Sequence, residues 1–172
     1  MISSFYPSVK WVGAACAGML LAALTTDTTW SQEPVRAEQA LANWFKCEYC
    51  EHGELEAVAR HGQVIVPSLI TTLNQGPSAA IRENLRGDLQ ARYEQLVEQS
   101  KKNPYAPITA TKEQFVELYL GNFDVQHRVR AAQALAMIGG DRTRAALEAA
   151  ANQAQRDDVR ATVRDYLSKL AR

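Results

Sequence analysis

The sequence is short of most of the residues that force unusual architectures. Its 172 residues include only 9 Gly and 6 Pro, which excludes collagen-like and low-complexity chains. Neither sign of charge is in excess: 19 Lys plus Arg balance 19 Asp plus Glu, so the global positive field expected of a nucleic-acid binder is missing. Catalytic signatures are absent too. No Ser-centred elbow, phosphate-cradling Gly loop or HExxH sequence occurs, and the three His residues, His52, His61 and His127, are scattered. What remains, 47% hydrophobic and 22% charged residues, is the composition of one ordered globular domain.

Long hydrophobic runs are also missing, with one exception near the start. Residues 1–10 carry a single charge, and the stretch from Trp11 to Leu24 reads WVGAACAGMLLAAL, with none. At ~14 residues this run is short for a membrane span, which needs ~20, and it passes into the polar TTDTTWSQE without a basic flank. Residues 1–30 therefore read as a secretory signal peptide, cleaved or kept as an uncleaved N-terminal anchor, with a linker over 31–37 before the folded domain at 38–172. The plainer alternative is an amphipathic or buried N-terminal helix, which Gly13 and Gly18 disfavour. A lipoprotein site at Cys16 does not fit, because the apolar run before it is only Trp11 and Val12. The expectation is a periplasmic or otherwise exported protein with no membrane span in its mature chain.

Cysteine is scarce, with 3 in all. Loss of the leader removes Cys16 and leaves Cys47 and Cys50, an even pair that suits an oxidising compartment. A local disulfide between Cys47 and Cys50 is the expected state, within reach of i, i+3 spacing on consecutive helical turns, though so small a loop stabilises little. A thiol-redox role would need a βαβ setting, and none is readable around the motif. Zinc binding could recruit His52 and His61 beside the two thiolates, and free buried thiols remain a further reading. Haem attachment fails, because Glu51 and not His follows Cys50. Glu48, Glu51, Glu54 and Glu56 crowd near His52, a grouping that reads as a solvated helix end.

From Glu33 onward apolar residues recur at helical spacing, and no β-branched alternation bounded by turns appears, so the domain is expected to be all-α. The expected helices run from about Glu38 to Cys47, Glu54 to Gly62 and Pro67 to Asn74. A long polar helix then opens at Ser78, with Ile81, Leu85, Leu89, Tyr93 and Val97 forming a stripe toward the core. Thr111 starts the next with a capping box to Gln114, and Gly121 with Asn122 is expected to end it. Asp124 caps a following helix that stops at Gly139 and Gly140, and two more cover Thr143 to Gln153 and Asp158 to Leu170.

Self-similarity lies beneath this order. Setting Gly140 on Gly62 brings Ala145 onto Pro67 and Leu147 onto Leu69, and Val159 with Arg160 stands thirty residues after Val129 with Arg130. The segments V-R-A-A-x-A-L-x-x-I-G at Val129 to Gly139 and V-R-A-x-V at Val159 to Val163 resemble short HEAT-type repeats of the bacterial kind. The resemblance covers Phe123 to Arg172 well and Glu54 to Gly76 fairly; the long Ser78 helix departs from it as an insertion. It implies a short HEAT-like α-solenoid, a right-handed stack of helical hairpins, that acts as a non-catalytic scaffold for another protein and carries no cofactor. A generic helical bundle is the competing architecture. The competing function is a thiol-redox or zinc-binding protein centred on Cys47 and Cys50.

Two further groups bear on function. An arginine series, of which Arg130, Arg144, Arg160 and Arg164 are the candidate interaction surface, could line a groove and take carboxylate or phosphate. Neutral charge and export oppose nucleic acid, and inter-repeat ion pairs such as Arg130 with Asp157 or Asp158 are the plainer use of these side chains. Trp44, Phe45 and Tyr49, like Phe115, Tyr119 and Phe123, are core residues more often than binding anchors at this spacing.

Overall fold

The computed structural model describes residues 32–46, 52–102 and 107–170. Among them the architecture is helix after helix, with no strand. In chain order the helices are α1 (Gln32–Lys46), α2 (His52–Ala59), α3 (Val66–Gln75), α4 (Ala79–Lys102), α5 (Lys112–Ile138), α6 (Asp141–Gln153) and α7 (Asp157–Leu170). A short 3-10 turn, Gly62–Val64, precedes α3. The all-α expectation holds. The expected leader at 1–30 and the Cys47/Cys50 pair lie outside the described residues. Much of the stretch read as a linker is helical, since α1 begins at Gln32.

Local chemistry explains most of the boundaries. Pro67 sits in the first turn of α3, where its missing N–H costs little. Thr111 caps α5 as the capping box requires: its hydroxyl accepts from the Gln114 N–H, and the Gln114 side chain accepts from the Thr111 N–H. Gly139 (φ 68°) and Gly140 (φ 94°) turn the chain between α5 and α6 through the left-handed region, which suits residues without a Cβ.

Two expectations change. The break at Gly121 and Asn122 does not occur: α5 runs unbroken for 27 residues, about 40 Å. A Gly inside a helix costs about 1 kcal/mol relative to Ala, and here packing outweighs it, because α5 contacts α1, α2, α3, α4, α6 and α7. Asp124, read as a cap, instead pairs with Arg128 one turn on. The α4 stripe also points elsewhere. Leu89 joins Val116 and Leu120 in a small separate core against the first half of α5, flanked by Leu85 and Phe115. Ile81 stays 47% exposed. Tyr93 pins the approach to α5 by donating its hydroxyl to the Ala110 carbonyl.

The main core gathers α1, α2, α3, α6 and α7 around the second half of α5, where Ala131, Ala132, Ala134 and Leu135 are fully buried. Those small residues let neighbouring helix axes come close. The internal alignment reappears in the burial pattern: Ile65, Leu69 and Leu73 fall on Thr143, Leu147 and Ala151, and all six are buried. Gly62 and Gly140, aligned with each other, both have positive φ.

Candidate interaction site

The arginine series has a structural use that the sequence conceals. A helix leaves its last carbonyls without intrahelical donors and concentrates negative potential there. Four arginines reach such ends on other turns or other helices. Arg130 on α5 donates Nη1 to the carbonyls of Trp44 (3.1 Å) and Phe45 (2.8 Å), near the end of α1. Arg128, two residues earlier and so on the other side of α5, donates to Leu73 and Asn74 near the end of α3. Arg160 donates to Ala154 at the end of α6, and Arg144 to Leu170 at the end of α7.

Arg130, read from the sequence as part of an interaction surface, is buried in the α1–α5 seam, where it donates to those carbonyls. It does not pair with Asp157 or Asp158. Asp157 pairs with Arg160 within α7, and Asp158 holds Arg156 by two bonds, 3.2 and 2.7 Å. Arg160 is half-buried, while Arg144 and Arg164 are exposed. The four arginines named from sequence thus do not form one face of comparable exposure.

The α1–α5 seam is held from both sides. Trp44, 3% exposed, returns a bond from its indole N–H to the Arg130 carbonyl, and the Arg130 guanidinium lies 5.7 Å from the Trp44 ring centre. His127 stacks on Phe45 with centroids 5.1 Å apart, and its Nδ1 donates to the Phe123 carbonyl. Burial pulls the His127 pKa below the ordinary imidazole value. The Phe123 carbonyl opposes that shift, the Arg130 charge adds to it, and Asp124 opposes it. This seam anchors the chain just before Cys47. The thiol pair itself lies outside the described residues, as do Glu48, Tyr49 and Glu51. Among the described residues no three His, Cys, Asp or Glu side chains converge as a metal site.

Two concave surfaces flank α5. The first is an apolar groove of about 550 Å³ between α4 and α5, lined by Leu85, Leu89, Tyr119, Phe123, Val125 and Val129. Beside it Leu118 is 61% and Tyr119 48% exposed. Phe115 packs at a tilt between Tyr93 and Tyr119, with centroids 5.6 and 4.6 Å away, which orders the aromatic edge of the groove. Trp44 is thus a core residue as expected, and Tyr119 is not. The sequence signal that could have separated them is the wide apolar face of α5 between Phe115 and Phe123, too broad for α4 alone to cover.

A second, polar cleft of about 830 Å³ lies between α3, α5, α6 and the start of α7. Asp124 sits in it, its Oδ2 accepting from Arg128 Nε at 2.7 Å. Its Oδ1 is buried without a hydrogen bond, 3.9 Å from Arg82 Nη1. Compared with family models, with curated proteins and with solved structures, the chain matches none of them. No helix among the described residues is long and apolar enough to cross a membrane.

Proposed function

We propose that this chain is an exported, non-catalytic scaffold of HEAT-like type that docks a protein partner. The observation that carries the reading is the repeated burial register, in which Ile65, Leu69 and Leu73 recur as Thr143, Leu147 and Ala151 behind glycine turns of the same handedness. A helical pair with one buried face is stable only when stacked on neighbours, and such stacks leave elongated surfaces free for other proteins. The contact pattern is in keeping with that. Helices α2, α5 and α7 adjoin in one row, and α3 adjoins α6 beside it. Helix α4, inserted between the two aligned pairs, packs on α5 and forms one wall of the apolar groove. That groove and its exposed rim at Leu118 and Tyr119 are the docking face, with an apolar segment of the partner as occupant.

Purification from the envelope fraction tests the reading, comparing the wild type with a Leu118→Asp, Tyr119→Asp double variant. Leu118 is exposed and Tyr119 gives up only its ring contact with Phe115, so the variant is expected to stay folded with a melting temperature lowered slightly. Wild type that elutes with a stoichiometric protein, and variant that elutes alone, is the expected result. Wild type eluting as the free chain, or equal recovery of the partner by the variant, contradicts it.

A further inference from the structure

We infer that the polar cleft between α3, α5, α6 and α7 is a second binding site, one that takes a carboxylate from an acidic peptide segment of a protein partner. It stands apart from the apolar groove and does not depend on it.

Three arginines line the cleft: Arg82 from α4, Arg128 from α5 and Arg156 just before α7. They differ in how fully they are used. Arg128 is committed, with Nε on Asp124 and Nη1 on two carbonyls of α3. Arg82 is not: among the described residues its one ion pair is with Asp124 at 3.9 Å, beyond hydrogen-bond length, and its side chain is 44% exposed. Arg156 spends Nε and Nη2 on Asp158. That leaves Nη1, which lies beside Gly121, where an added Cβ would come within 3.7 Å of it. Two guanidinium groups with unfilled N–H bonds therefore border one cavity whose wall is opened by the missing side chain at position 121.

Charge selects the ligand class. Three arginines and Asp124 give the lining a surplus of two positive charges (three minus one), and Asp158, clamped on Arg156, lowers it to one. That surplus matches a single carboxylate better than a phosphate dianion, which brings twice the charge against the same Asp124 and Asp158 carboxylates. The rest of the lining suits a peptide. Asn74, Gln75, Gln153 and Gln155 line the cleft, and side-chain amides can pair with both the N–H and the C=O of an extended backbone. A guanidinium meets a carboxylate in plane with two parallel bonds, so Arg82 and Arg156 are suited to fix one acidic side chain while the amides hold its flanks.

The test is fluorescence anisotropy with a fluorescein-labelled hexaglutamate peptide at low ionic strength, with hexaglutamine of equal length as the control. Binding to hexaglutamate alone is expected, weakening as salt is raised. Arg82→Gln and Arg156→Gln should each weaken it roughly tenfold, while Arg164→Gln, an exposed arginine outside the cleft, should leave it unchanged. Gly121→Leu supplies a variant that removes no charge: it fills the cleft beside Arg156 and should also abolish binding, with helicity and melting temperature confirming that the chain is folded. Equal binding to hexaglutamine, or full binding by the Arg82→Gln, Arg156→Gln double variant, overturns the assignment. So does absence of binding at about millimolar peptide. Displacement by inorganic phosphate or by oligothymidylate at lower concentration than by unlabelled hexaglutamate would reassign the cleft to phosphate or nucleic acid. None of these outcomes bears on the apolar groove, whose variants lie at Leu118 and Tyr119.

Discussion

Replacing Arg130 with Met tests whether the arginine series builds the fold or faces a partner. The substitution keeps most of the apolar stem and removes the guanidinium. It strands the carbonyls of Trp44 and Phe45, which accept from Arg130 at 3.1 and 2.8 Å within the α1–α5 seam. Hydrogen bonds to a charged donor contribute about 1.5–3 kcal/mol each, and leaving a buried acceptor unpaired costs a comparable amount. Part of the loss is offset, because the buried guanidinium also gives up a desolvation penalty that already pulls its pKa below the usual arginine value. A net destabilisation of roughly 3 kcal/mol is expected by urea denaturation, a large share of the ~5–15 kcal/mol of a typical domain. Arg130→Lys should fall between, since one compact ammonium lacks the planar fork that spans two carbonyls. Hydrogen exchange supplies the local readout: amides of α1 should lose protection first, while those of α6 and α7 keep theirs until global unfolding. A loss under about 1 kcal/mol, or exchange that rises uniformly, would refute the clamp.

Three other perturbations report on the rest of the fold. Leu69→Ala and Leu147→Ala remove residues with no exposed surface at aligned positions, and each should cost ~2–5 kcal/mol by chemical denaturation; a near-zero shift at either would break the equivalence of the two pairs. Gly76→Ala drives a Cβ into Asp124 Oδ1 on a backbone with φ 75°, so stability should fall by more than the ~1 kcal/mol usual for a strained glycine position, read as a lower melting temperature; an unchanged Tm would mean that α3 and α5 do not meet there. His127 predicts an acid-sensitive seam. Its folded pKa is lowered by burial, so the neutral form is favoured on folding. The associated stability is present above the unfolded value of about 6.5 and is lost as pH falls below it toward the folded pKa. Urea midpoints should drop as pH falls below about 6.5 and drop less in His127→Phe; parallel curves for the two proteins would exclude His127 as the cause.

Much of the helical order was legible because it depends on neighbours in sequence. The Thr111 and Gln114 pair needs only three residues to announce a helix start, and Gly139 with Gly140 announces a stop in the same local way. The unbroken course of α5 was not legible. Gly121 and Asn122 are poor helix formers locally, and what holds them helical is packing by segments distant in the chain. The arginines show the same limit. Charge alone suggested a surface or ion pairs; Arg128 does pair with Asp124, but Arg128 and Arg130 also reach backbone carbonyls 54 to 86 residues away, and carbonyls carry no sequence signature. The polar cleft was invisible for a related reason: Arg82 belongs to the inserted helix, outside the aligned repeats, and only the folded chain brings it to Asp124.

The most direct test of the scaffold reading is site-specific photocrosslinking in the cells that make the protein, with a photoreactive phenylalanine analogue at Tyr119 on the groove rim and, as a control, at Glu148, exposed on α6. A discrete protein adduct from position 119 that is lost on Leu118→Asp, with none from position 148, is the expected result. No adduct from position 119, or the same adducts from both positions, would contradict a docking face on α5.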